Sequence, residues 1–238
     1  RNSVDEVVQF IDSELNECYN ELPEKEVNDD GTPNENRSAA PTKGASAGSR
    51  AYIPASLWKE VKDYVGDMLK EIKMGDVQDF TNFVNAVIDE ASFDNIMSYI
   101  DYAKQSPDAE IVFGGNGDKS VGYFVEPTVI RTTDPMFKSM VEEIFGPVIT
   151  IYVYDDNKYE ETLELCDRTS PYGLTGSIFA RDRYAIDMAF NKLRYAAGNF
   201  YINDKPTGAV IAQQPFGGSR ASGTNDKAGG QTAFLRYL

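Results

Sequence analysis

The 238-residue chain offers few side chains for chemistry. It contains no histidine, which removes the usual general base, every Ser–His–Asp type of triad and every His-containing zinc set. Two cysteines, Cys18 and Cys166, can build neither a disulfide framework nor a four-cysteine metal site, and this usage fits a reducing compartment. Cys166 falls in an apolar helical pattern and reads as an inert buried thiol. Cys18 lies on the polar side of another helix, with no neighbouring cation to lower its pKa. The run Gly114-Gly115-Asn116-Gly117-Asp118-Lys119-Ser120 has the look of a phosphate loop, yet Asp118 stands where a Walker loop has glycine. It would also repel phosphate, so a plain turn is the reading. No G-x-G-x-x-G follows a strand pattern. The acidic residues 21–35 lack the order of a calcium loop and read as a solvated linker, so no metal site is expected.

The formal charge of −15 and pI near 4.4 argue against nucleic acid or an anionic membrane as partner. The acidity is concentrated: residues 1–40 hold 11 acidic and 3 basic side chains. No apolar run approaches the roughly 20 residues of a membrane span. The chain starts at Arg1 without methionine and reads as a processed or partial product.

The elements that must position any site alternate. Residues 3–22 form an amphipathic helix pattern, with Ser3 and Glu6 as a capping box and Val4, Val7, Val8, Ile11, Leu15, Tyr19 and Leu22 at helical spacing. A polar stretch, 23–42, follows and holds too little apolar surface to offset its ordering entropy. Strands are expected at 49–53, 110–113, 123–130, 148–154, 176–180 and 199–203. Helices are expected from Ser56, as N-cap, to about Ile72, and at 90–104, 157–166 and 183–196. Strand and helix taking turns is the signature of an α/β fold, a mostly parallel sheet flanked by helices. Residues 217–230 form a glycine-rich loop.

Four longer strings carry more information. They are Glu142-Glu143-Ile144-Phe145-Gly146-Pro147-Val148, Tyr172-Gly173-Leu174-Thr175-Gly176, Gly198-Asn199-Phe200-Tyr201-Ile202-Asn203 and Gln213-Gln214-Pro215-Phe216-Gly217-Gly218-Ser219-Arg220-Ala221-Ser222-Gly223. In this order they resemble the aldehyde dehydrogenase superfamily. The segments Asn203-Asp204-Lys205, Thr207-Gly208 and Gly223-Thr224-Asn225-Asp226-Lys227 resemble its Δ1-pyrroline-5-carboxylate dehydrogenase branch, which oxidises glutamate semialdehyde to glutamate with NAD. The resemblance covers about 50–238 and implies the catalytic-domain fold of that family. It divides the chain into a helix at 1–22 leading to the nucleophile loop, an acidic polar insert at 23–44 and a catalytic-like domain at 45–238.

The resemblance also implies roles. Glu143 and Phe145 match the positions that hold the nicotinamide ribose and ring edge. Ser46, Gly208 and Ala209 match the grip on the substrate carboxylate, and Phe216 an aromatic wall for its aliphatic part. The string Ser46-Ala47-Gly48-Ser49-Arg50-Ala51-Tyr52-Ile53-Pro54 sets the register of the nucleophile loop and puts Ala45 at the nucleophile position. A methyl group cannot form the thiohemiacetal that covalent catalysis requires.

The expectation is therefore a non-catalytic relative: a structural or interaction subunit of a larger, mitochondrial assembly, with other protein chains as partners and no nucleic acid or membrane insertion. No cofactor is expected of the chain itself, and NAD only where a partner chain supplies the dinucleotide-binding half. The alternatives are one half of a split NAD-dependent glutamate-semialdehyde dehydrogenase, with Cys18 as the nearest thiol in sequence, and a glutamate- or proline-sensing module.

Overall fold

In the computed structural model, residues 49–204, 206, 214–228 and 230–238 are described. The helix expected at 3–22, the insert at 23–44, Cys18, Ala45, Ser46, Gly208 and Ala209 lie outside them.

The first strand, β1 (Arg50–Pro54), runs into helix α1 (Ala55–Glu71). Ser56 does not cap this helix as expected. Pro54, with its fixed φ, stands at the cap, and Ser56 sits in the first turn, where its N–H and hydroxyl both donate to the Asp156 carboxylate. Helix α2 (Glu90–Gln105) has a side-chain cap: Asp89 accepts from the Ser92 N–H at 2.7 Å. Its Phe93, Ile96, Tyr99, Ile100 and Ala103 recur at helical spacing and are all buried.

After α2 come β2 (Ala109–Phe113), the short hairpin of β3 (Gly117–Asp118) and β4 (Phe124–Val125), and β5 (Thr128–Thr132). The single strand expected at 123–130 is thus two, because Pro127 has no N–H to continue a ladder. Helix α3 (Lys138–Val141) precedes β6 (Val148–Tyr154). A 3₁₀ turn (Asp156–Lys158) then leads into α4 (Tyr159–Thr169), so this helix starts and ends later than the expected 157–166. The remaining elements are β7 (Tyr172–Gly173), β8 (Thr175–Ile178), α5 (Arg183–Leu193), β9 (Asn199–Ile202), β10 (Ser219–Arg220) and α6 (Gln231–Leu235).

The main sheet has the order β1-β6-β5-β2, with β1, β6 and β5 parallel and β2 antiparallel at the edge. A second parallel pair joins β8 to β9 around α5. The mostly parallel α/β architecture expected from the alternation is present. Two cores result. Ile96, Ile100, Val125, Ile130, Met140, Ile144 and Val148 fill the one under the main sheet, and Leu163, Ala189 and Leu193 form the other, between α4 and α5. Tyr52 on β1 bridges toward the second unit, its hydroxyl donating to Thr169 Oγ1 at 2.9 Å.

Two of the chemically marked residues fall into structural roles. Lys119 is paired with Glu90 at 2.9 Å and Asp94 at 3.0 Å, so the Gly114–Ser120 run is a hairpin whose lysine is already engaged. Burial pushes the Cys166 thiol above its ordinary pKa, which leaves it protonated and unreactive at neutral pH. Among the described residues no helix is long and apolar enough to cross a membrane, and no group of three His, Cys, Asp or Glu is placed to hold a metal ion.

Candidate active site

The site is built from loops at the N-terminal ends of the parallel strands. Parallel pairing of β1 with β6 puts Arg50 opposite Thr150, and the Thr150 N–H donates to Ser49 O at 3.0 Å. Ser49 therefore leads into β1 at the end of the sheet where the loop 142–147 enters β6. That loop is pinned there by Pro147 O, which accepts from the Thr128 N–H at 2.8 Å.

Residues 142–147 are anchored at three points. Glu142 accepts from the Tyr99 hydroxyl at 2.5 Å, a bond that, with burial, pushes the Tyr99 pKa up to about 12 and keeps the phenol a donor. Ile144, 3 % exposed, inserts into the main core. Gly146 lies so close to α2 that a Cβ there would stand 2.6 Å from Ile96 Cδ1. Between these anchors Glu143 and Phe145 face outward. Phe145 is 63 % exposed and held at φ 54°, a left-handed conformation unfavourable for a residue with a side chain. The Glu143 carboxyl is raised above its ordinary pKa by partial desolvation, with no charged partner contributing. The loop thus displays a carboxylate and an aromatic edge side by side, on a backbone fixed from behind.

The second loop carries Phe216. Its backbone pairs with Ala228 in both directions, Phe216 N–H to Ala228 O at 3.1 Å and Ala228 N–H to Phe216 O at 2.7 Å. Asn199, first residue of β9, brackets the same turn: its Nδ2 donates to Pro215 O at 3.1 Å and its Oδ1 accepts from Gly217 N–H at 3.2 Å. Gly198 must be glycine, since any side chain there would collide with the Gly217 carbonyl. Lys227 reaches across both segments and donates to the carbonyls of Gly198 and Gly217.

Of the residues expected from the sequence, Glu143 and Phe145 share one loop, and Phe216 stands on another, at the entry to β9. The supporting residues Tyr99, Glu142, Asn199 and Lys227 carried no expected role. Glu142, Asn199 and Lys227 sit inside strings singled out as motifs, which was the available signal. Tyr99 had none beyond helical spacing.

A shallow cavity of about 370 Å³ lies elsewhere, at the C-terminal end of β6, lined by Tyr152, Tyr154, Lys158, Glu161 and Arg168 among others. It shares no residue with either loop.

Comparison with known proteins bears on these loops. Residues 43–238 match the aldehyde dehydrogenase family model. The mitochondrial Δ1-pyrroline-5-carboxylate dehydrogenase of Dictyostelium discoideum is 65 % identical over 193 residues, covering 81 % of this chain and 35 % of that protein. The crystal structure of Mycobacterium tuberculosis Δ-pyrroline-5-carboxylate dehydrogenase superposes with a TM-score of 0.75 at 44 % identity, over 82 % of this chain and 37 % of that one. A structure of the same enzyme bound with NAD superposes at 0.73 and 43 % identity, over the same shares of the two chains. The chain spans about a third of the length of the curated relatives it matches. The NAD-bound relative overturns the expectation of no cofactor, which allowed NAD only where a partner chain supplies the dinucleotide-binding half. The family match and these identities, falling on the segment that builds both loops, show that this chain belongs to the aldehyde dehydrogenase family.

Proposed function

We propose that this chain is the catalytic-domain portion of a mitochondrial, NAD-dependent glutamate-semialdehyde dehydrogenase of the Δ1-pyrroline-5-carboxylate dehydrogenase type. The observation that carries this reading is the loop 142–147, where Tyr99, Ile144 and Gly146 hold Glu143 and Phe145 outward. A carboxylate without a described partner, next to an exposed ring edge, suits the hydroxyls of a ribose and the face of a planar ring. Glu143 and Phe145 would hold NAD at its nicotinamide end, and NAD, when bound, supplies the hydride acceptor. Phe216, with Ser46, Gly208 and Ala209, would take the substrate's aliphatic chain and distal carboxylate. Prefixing the reacting atoms in this way supplies much of the rate advantage of a bound over a free reaction.

Oxidation of an aldehyde by this family's covalent route needs a nucleophile on the carbonyl carbon, and Ala45 has none to give. That residue favours a second reading, a non-catalytic subunit of an assembly that keeps the ligand sites and has lost the thiol. Partner chains belong to this proposal as well, either as the other members of such an assembly or as the source of a dinucleotide-binding half. A glutamate-sensing role needs only the carboxylate grip.

One experiment separates them. The full polypeptide, with any chain that co-purifies, is assayed for NADH formation from glutamate semialdehyde, as it stands and as Ala45→Cys. Activity in the unsubstituted protein, lost in Cys18→Ser, supports an enzyme with a displaced nucleophile. Activity in Ala45→Cys alone supports an intact scaffold silenced at one atom. NAD and glutamate binding absent by calorimetry from both proteins would overturn the dehydrogenase reading.

A further inference from the structure

We propose that Lys227 is the positioning residue for the substrate end of the site: its ammonium locks the Phe216–Gly217 turn to the start of β9 and so sets where the Phe216 ring stands. The inference rests on the reading above that Phe216 lines the aliphatic part of the substrate.

The geometry is that of a clamp. Lys227 Nζ donates to Gly217 O at 3.1 Å and to Gly198 O, carbonyls that belong to segments about twenty residues apart. Both carbonyls lie in the one place where the chains touch closely enough to exclude any side chain at 198. The backbone of Lys227 is part of the same contact: a Cβ at 217 would stand 3.1 Å from Lys227 N, and the next residue, Ala228, pairs with Phe216. Aiming the side chain this way has a conformational cost. Lys227 sits at φ 58° and Asn225 at φ 61°, both in the left-handed region that favours glycine. The ammonium is half-buried, and desolvation lowers its pKa. Among the described residues it has no carboxylate partner; two backbone carbonyls accept its hydrogen bonds instead. A flexible surface lysine has no reason to accept these conditions, whereas one that ties two carbonyls together does.

The neighbouring Asp226 provides an internal comparison. It binds Arg236 Nε at 2.7 Å, and its carbonyl accepts from Thr232 at 2.6 Å, which orders the same loop without touching Phe216 or Gly217.

The test uses the full polypeptide, with glutamate as the probe in calorimetry and NAD as the reference ligand. Lys227→Met is expected to weaken glutamate binding by about tenfold, the loss of a charge-assisted hydrogen bond, and to leave NAD affinity within about twofold. Lys227→Gln keeps two N–H donors without the charge and guards against a folding defect; it is expected to lose less. Arg236→Ala is expected to leave both affinities unchanged. Equal glutamate affinity in Lys227→Met and the unsubstituted protein overturns the proposal, as does an equal loss in Arg236→Ala. Hydrogen exchange at the Phe216 and Gly217 amides separates this idea from the substrate reading. If the unsubstituted protein binds no glutamate, that reading fails. Faster exchange in Lys227→Met then still supports the clamp, and unchanged exchange overturns it.

Discussion

The loops at 142–147 and 215–218 are held in place by opposite means. The first is nailed to the main core chiefly by apolar contact, with Ile144 inserted and Gly146 flush on Ile96, helped by hydrogen bonds from Tyr99 and Thr128. The second has no buried apolar anchor of its own. Asn199, Lys227 and a two-way backbone pairing with Ala228 hold it by polar contacts, and glycines at 198, 217 and 218 let the chains come close enough for them. Apolar anchoring suits a loop that must present two side chains outward in one fixed pose. Polar anchoring ties a turn to its neighbour without filling the space where an aliphatic ligand would lie.

The contrast can be broken most severely from the chemical side. Ala45→Cys in the full polypeptide is expected to raise NADH formation from background by several orders of magnitude, since loss of the nucleophile in a covalent enzyme costs on the order of 10⁶-fold. A rate left at background would overturn the reading of an intact scaffold silenced at one atom. Ile144→Ala comes next. Removing a buried aliphatic side chain costs about 2–5 kcal/mol, read as a lower denaturant midpoint, and NAD binding should weaken with it. Glutamate binding should survive at conditions where the protein stays folded, because the Phe216 loop does not use that anchor. Loss of both affinities in parallel would mean that the two loops are not independently held.

Tyr99→Phe should cost about 1 kcal/mol, the net worth of a hydrogen bond whose acceptor, Glu142, remains open to water. The smallest effect concerns pH. Glu143 carries a raised pKa from desolvation, so its charged form is disfavoured in the folded protein. The group therefore favours folding fully below its unfolded pKa of about 4.3, and that contribution is lost as pH rises through the folded value. Glu143→Gln should accordingly be slightly more stable than the parent at pH 7 and equal to it below about pH 4, in paired thermal melts. A difference that persists at low pH would point to packing instead of charge.

How much of this was legible beforehand divides along the same line as the two anchoring modes. Apolar periodicity gave away α1, α2 and the strands of the main sheet, because burying Ile96, Ile100 and Val148 is a one-dimensional pattern. The strand boundaries at Pro127 and the late start of α4 came from local backbone chemistry that overrode the pattern. Glu143, Phe145 and Phe216 are proposed as site residues by resemblance alone, since nothing in spacing distinguishes them from other outward-facing residues. Lys227 and Tyr99 were not reached. Their partners lie 10, 29 and 43 residues away in sequence, and no local pattern encodes which carbonyl or carboxylate a side chain will meet.

The pairing of the strands also sets an order of assembly. Thr175 meets Asn199 across a single helix, whereas Arg50 meets Thr150 a hundred residues on. Closing the longer span costs about 1.3 kcal/mol more chain entropy, and distant parallel pairing slows folding further. The β8–α5–β9 unit can therefore form while β1 is still searching for β6. The ledge that carries Glu143 and Phe145 leads into β6, whose partner β5 is close in sequence, Thr128 meeting Val148, so both ledges can form before β1 is added to the sheet as its last edge.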